Sequence, residues 1–159
     1  MSRPASESWK KVDLHVQPGH YARRLQQLAV VLFAQEVGDL GLTPVQYATL
    51  HAICMAPGVD QKTLAASIGY DTSTIAGVID RIEARGLVQR SVSPTDRRAR
   101  LLTPTADGLA MLDAVLPRML KAQERLLAPL PKGERKEFLR LLKTVLDAYA
   151  DLSNTPAKE

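Results

Sequence analysis

Residues 60–104 read DQKTLAASIGYDTSTIAGVIDRIEARGLVQRSVSPTDRRARLLTP. Two short helix patterns stand in tandem, and then the period changes. Asp60 suits the N-cap of a helix over Gln61–Ser67, which stops near Gly69. Asp71 caps the next one, predicted from Thr72 to about Arg85, and Gly86 supplies a stop where a left-handed backbone is cheap. On a wheel of about 100° per residue, Ile75, Val78, Ile79 and Ile82 share one side. Ser73, Ala76, Gly77, Asp80 and Ala84 lie opposite, with Thr72, Thr74 and Arg81 on the flanks. After Gly86 the pattern suits strands. Leu87–Val92 predicts one strand, Ser93-Pro94-Thr95-Asp96 a turn, and Arg97–Thr103 a returning strand. The expected product is a helix-turn-helix followed by a two-stranded hairpin with a basic tip.

That conjunction points to nucleic acid. Small residues let a helix backbone approach a groove, and hydroxyls reach bases or phosphates. The positive end of a helix favours phosphate. A well-capped solvated helix would look the same taken alone. The hairpin decides between them, because Arg90, Arg97, Arg98 and Arg100 crowd one short ribbon directly after it. Arginine suits phosphates and narrow minor grooves. Asp96, two residues before Arg98, is expected to hold that guanidinium in position.

Outward from this core the chain is helical. Residues 1–18 read as an N-terminal arm closed by Pro18-Gly19. A first helix is predicted from His20 to Val37, with Tyr21, Leu25, Leu28 and Leu32 at helical spacing. Thr43-Pro44 starts a second, which Pro57-Gly58 breaks. Beyond the hairpin a long helix runs from Thr105 to about Ala128, and Pro117 is expected to kink it or break its ladder. A last helix from Glu134 to about Leu152 carries Phe138, Leu142, Val145 and Tyr149. These outer helices are too apolar to stand alone, so a homodimer is expected. The organisation is a 44–104 winged helix-turn-helix lobe, a helical dimerisation region from 19–43 and 105–153, and a frayed 154–159 tail. The fold class is mostly α with a small β-hairpin.

Composition agrees and excludes alternatives. The 159 residues are 45% apolar but only 4% aromatic, which favours helices. The net charge of +4 is compatible with a polyanionic partner. Cys54 is the only cysteine, so no intrachain disulfide and no thiolate zinc cluster form. His15, His20 and His51 have no metal-ligand spacing, and no phosphate-cradling glycine loop or nucleophile motif is present. No apolar run spans a bilayer and no signal peptide opens the chain. The reading is a cytoplasmic, non-enzymatic protein with no cofactor and no membrane partner.

LTPVQYATLHAI at 42–53, STIAGVIDRIEARGLVQR at 73–90, DRRARLLTPT at 96–105 and LLAPLPKGERKEFLRLL at 126–142 resemble the multiple antibiotic resistance regulator (MarR) family. The resemblance covers nearly the whole chain after about residue 20. It implies a triangular dimer of winged lobes that binds pseudo-palindromic operators, usually as a repressor relieved by a small molecule. Two recognition helices would enter successive major grooves about 34 Å apart, on an inverted repeat of double-stranded DNA. The implied DNA-contacting set is Thr72, Ser73, Thr74, Gly77 and Arg81 on the recognition helix, with Asp96, Arg97 and Arg98 on the wing. Many members carry an arginine where this chain has Gly77.

The resemblance also implies an effector cleft among the first, second and fifth helices. His20, Tyr21 and Arg24 on the first helix, with Tyr47 and His51 on the second, are the candidates there. Arg and His hold carboxylates, and Tyr stacks and hydrogen-bonds. The expected effector is an aromatic or phenolic acid, or its acyl thioester. The alternative is a thiol-based redox repressor using Cys54, one turn from His51.

Overall fold

The computed structural model describes residues 7–150. Two 3-10 turns, Glu7–Lys11 and Leu14–Val16, lead into α1, Pro18–Val37. Then follow α2, Pro44–Met55; β1, Val59–Asp60; α3, Gln61–Ser67; and α4, Thr72–Ala84. β2, Val88–Val92, and β3, Arg100–Pro104, precede α5, Ala106–Leu127, and α6, Lys132–Ala148. No single described helix is long and apolar enough to cross a membrane.

The helices start where capping chemistry dictates. The Thr43 hydroxyl accepts from the Gln46 backbone N–H, and the Gln46 side chain accepts from the Thr43 N–H, a reciprocal capping box. Asp60, Asp71 and Thr105 each cap the helix that follows. α1 begins two residues earlier than the pattern predicts. Pro18 does not end the arm but sits at the first helical position, where its missing N–H costs nothing.

Two further expectations are corrected. The hairpin is two strands of a three-stranded antiparallel sheet, ordered β1-β3-β2. β1 pairs Val59 with Leu102 and Asp60 with Leu101. The returning strand starts at Arg100 rather than Arg97, because Asp96 holds residues 96–99 in a turn. Its side chain accepts from the Arg98 N–H at 2.9 Å, and its carbonyl accepts from the Ala99 N–H at 3.0 Å. α5 stays helical on both sides of Pro117, whose missing N–H leaves the expected local gap in the hydrogen-bond ladder. Leu152 and the 154–159 tail lie outside the described residues.

One core joins the winged lobe to the inner ends of the long helices. Leu50 and Ile53 of α2, Leu64 of α3, Ile75, Ile79 and Ile82 of α4, and Leu102 of β3 are fully buried. α1 reaches this core only through its C-terminal end, at Phe33 and Val37. α5 enters it at Val115. Gly108 brings the start of α5 against the sheet so tightly that a Cβ there would overlap the Leu87 carbonyl oxygen. α6 buries no residue; Leu139, Leu142, Val145 and Leu146 on it are exposed, as is Tyr149, which caps its C-terminal end rather than lying within it as expected.

Candidate nucleic-acid interface and effector groove

The wheel sorted α4 correctly. Ile75, Val78, Ile79 and Ile82 are buried, while Thr72, Ser73, Thr74, Asp80 and Arg81 are exposed. Ala76 and Gly77 are half-buried between these faces. The hydroxyl-rich end is more ordered than the sequence suggests. Asp71 accepts from the Thr74 N–H at 2.8 Å, from the Ser73 hydroxyl at 2.6 Å and from the Thr74 hydroxyl at 2.5 Å. Those bonds hold the Asp71 carboxyl well below the usual range. Ser73 and Thr74 therefore present lone pairs outward, suited to the amino donors of cytosine or adenine. Thr72 keeps a hydroxyl without such a partner among the described residues.

The wing tip is built from its own hydrogen bonds. Buried Ser93 accepts through its hydroxyl from the N–H groups of Thr95 and Asp96, both at 3.3 Å. The Asp96 carboxylate bonds the Arg98 backbone and not the guanidinium, which corrects the expected side-chain pair. The guanidinium groups of Arg81, Arg97 and Arg98 have no hydrogen-bond or ion-pair partner among the described residues. Arg100 leans back to the Arg97 carbonyl.

Arg90 behaves differently from the other wing cations. Its guanidinium bridges Asp80 and Glu83 of α4, each at 2.5 Å, and its backbone N–H donates to Glu83 at 3.2 Å. Arg85, just past α4, donates to the carbonyls of Leu40 and Gly41 and ties the recognition helix to the turn after α1. That turn is held from the other side by an ion pair between Asp39 and Arg118 of α5. Glu36 faces Lys121 at 2.9 Å and Arg125 at 2.7 Å, and these partners lower its pKa. Spacing did not reveal these long-range pairs, since the partners of Asp39 and Glu36 lie beyond 75 residues away in sequence.

The five effector candidates do not converge in one chain. Tyr21 and Arg24 line a largely apolar groove of about 620 Å³ between α1 and α6, with Leu25, Leu28, Phe138 and Leu142. His20 packs edge-on against His15 and Tyr21, with ring centroids 5.2 and 6.2 Å away. Partial desolvation and the neighbouring Arg23 lower its pKa. Tyr47 and His51 instead form a ring ladder with Phe33, with successive centroids 5.9 Å apart. Phe33 lies twelve residues along α1 from Tyr21, about 18 Å at 1.5 Å per residue. A small acid cannot span that distance. Cys54 is half-buried against the core, and burial followed by Asp113 raises its pKa. An activated thiol needs the opposite shift, so the redox reading finds no support.

A basic wing beside a capped, groove-sized helix on a helical frame defines a winged-helix DNA-binding protein. The MarR family model matches residues 40–99. The HTH-type transcriptional repressor NicR of Pseudomonas putida is 35% identical over 136 residues, covering 86% of each chain. The PcaV transcriptional regulator of Streptomyces coelicolor, solved with its natural ligand, is 40% identical with a TM-score of 0.81, covering 86% of this chain and 96% of its own. BpsR of Bordetella bronchiseptica, whose DNA binding is regulated by 6-hydroxynicotinic acid, is 31% identical with a TM-score of 0.81, covering 86% and 97%. The chain belongs to the MarR family of DNA-binding transcriptional regulators.

Proposed function

We propose that this chain is a homodimeric repressor released from its operator by a small aromatic carboxylic acid bound at Arg24. The carrying observation is the α1–α6 groove, where one guanidinium stands over apolar walls without an ion-pair partner among the described residues. A carboxylate on Arg24 and a ring against Leu25, Leu28 and Phe138 use both features. His20 adds little positive charge at neutral pH, since its pKa is lowered. Tyr47 and His51 stand apart and serve as controls. The regulation of BpsR by a hydroxylated aromatic acid supports this ligand class.

The unburied apolar face of α6 and the exposed Tyr21, Leu28 and Val31 of α1 support pairing of 19–43 and 105–153 between two copies. The 44–104 lobe would then be presented twice, for an inverted repeat read one helical turn apart. On each lobe Thr72, Ser73, Thr74, Gly77 and Arg81 face the major groove. Arg98 enters the minor groove, Arg97 meets phosphate, and Asp96 shapes the tip that aims them. Release follows if the acid favours a lobe spacing that misses adjacent grooves.

The test uses 4-hydroxybenzoate and 6-hydroxynicotinate. Each is titrated into the protein bound to a fluorescent duplex, selected by the protein from a random pool. At least one should raise the melting temperature of the free protein and dissociate the duplex. Arg24→Ala should weaken that ligand by roughly 10- to 100-fold, the worth of a charged hydrogen bond. Tyr47→Phe and His51→Ala should leave it intact. A response that survives Arg24→Ala and vanishes with His51→Ala refutes the groove.

A further inference from the structure

Four arginines crowd the β-ribbon, and their chemistry alone would put all four on DNA. We infer that Arg90 is not a DNA contact but a positioning residue that locks the wing to the recognition helix. This rests on the DNA-binding reading of α4 and the wing.

The geometry separates Arg90 from its neighbours. β2 is an edge strand, paired on one side with β3, where Arg90 stands opposite Leu102. Its N–H is turned to the Glu83 carboxylate, and its side chain follows the same direction. One end of the guanidinium meets Glu83 and the other meets Asp80, which lies one turn earlier on α4. Helix residues three apart share a face, so the two carboxylates form one receptor for a planar fork. The Arg90 side chain is 24% exposed, compared with the exposed Arg97 and Arg98. Breaking this arrangement frees an edge-strand N–H and leaves two carboxylates on the recognition helix without a cation.

The latch therefore has two effects. It fixes the angle between the ribbon that carries Arg98 and the helix that carries Thr72–Thr74. It also offsets part of the negative charge that Asp80 and Glu83 place on the helix that approaches a polyanion. Arginine is required because only a fork reaches both acids at once, whereas an ammonium is a point charge. A simple phosphate contact makes no such demand, because lysine also binds phosphate as a point charge.

The test compares Arg90→Lys, Arg90→Gln, Asp80→Asn with Glu83→Gln, and the triple variant, on the selected duplex across a salt series. A latch predicts that Arg90→Gln lowers affinity roughly tenfold. Arg90→Lys should be impaired nearly as much. In the Asp80→Asn, Glu83→Gln background the further loss on Arg90→Gln should vanish. Hydrogen exchange of peptides covering residues 88–104 should quicken in Arg90→Gln, while peptides from α1 and α5 keep their protection. Full retention of affinity by Arg90→Lys overturns the proposal. So does an additive loss in the acid-free background with the log–log salt slope reduced by about one. Unchanged exchange over 88–104 overturns it as well. If the parent chain binds no duplex the DNA reading fails, and the exchange measurement still decides whether the latch exists.

Discussion

The same substitution at two helical glycines should move stability in opposite directions. Gly77 lies in the interior of α4 and Gly108 in the first turn of α5. Alanine improves helix propensity by about 0.5–1 kcal/mol at either place, other things equal. At Gly77 an added Cβ meets nothing within 4 Å, so this gain should appear undiminished. At Gly108 the new Cβ would overlap the Leu87 carbonyl oxygen, lie 3.0 Å from its carbonyl carbon and 3.4 Å from the Leu50 Cδ1. The obstacle is backbone, which cannot rotate away. α5 must back off from the sheet, stretching the 3.1 Å bond from the Thr105 N–H to the Leu87 carbonyl. Overpacking costs about 1–3 kcal/mol and the lost hydrogen bond about 1 kcal/mol. With the propensity gain subtracted, Gly108→Ala should destabilise by roughly 1–3.5 kcal/mol. At about 2–4 °C per kcal/mol for a chain of this size, Tm should fall by roughly 2–14 °C. Gly77→Ala should raise it by roughly 1–4 °C. Melting followed by circular dichroism at matched chain concentration reads both, which matters if the dimer dissociates on unfolding. Shifts of the same sign would refute the reasoning.

Val145→Asp places a charge on the exposed apolar face of α6, outside the α1–α6 groove, and sedimentation equilibrium should then find monomers with duplex binding weakened in parallel. Persistence of the parent's assembly state would remove α6 from the interface. Arg98→Ala should weaken the selected duplex and lower the log–log salt slope by about one, as loss of a single backbone-neutralising cation requires. An unchanged slope would take Arg98 off the DNA. Asp71 has its pKa lowered below the ordinary 3.8 by hydrogen bonds from Ser73 and Thr74. A depressed carboxylate stabilises the fold above 3.8, and that contribution is lost as pH falls from 3.8 towards the folded value. Asp71→Asn keeps a cap but cannot titrate, so its Tm should drop less than the parent's between about pH 5 and about pH 2.5. Equal drops would show that the cap is not protonation-linked.

The helices were legible because caps and periodicity are local. α3 runs over the residues its pattern predicts, and α4 ends one residue short of Arg85. β1 was not legible, since two residues cannot carry a period and Asp60 already reads as a cap. The wing's cationic character was visible in composition, but the commitment of Arg90 to Asp80 and Glu83 was not. That commitment depends on how β2 packs across α4, which no spacing states. The effector candidates separated for a similar reason. Chemistry selected carboxylate-binding residues, while the length of α1 keeps the Tyr21–Arg24 end away from the Phe33–Tyr47–His51 ladder.

The extra strand alters the entropy of docking. β3 is bonded to β2 on one edge and to β1 on the other, and the Gly58 N–H adds a 2.7 Å bond to the Leu102 carbonyl. The segment that launches α3 and the base of the ribbon are thus stitched into one rigid piece during folding. A loose flap would have to be frozen at each encounter with a duplex, at about 1–2 kcal/mol per backbone residue. Here that ordering is complete before the partner arrives, and contact energy is left for holding on.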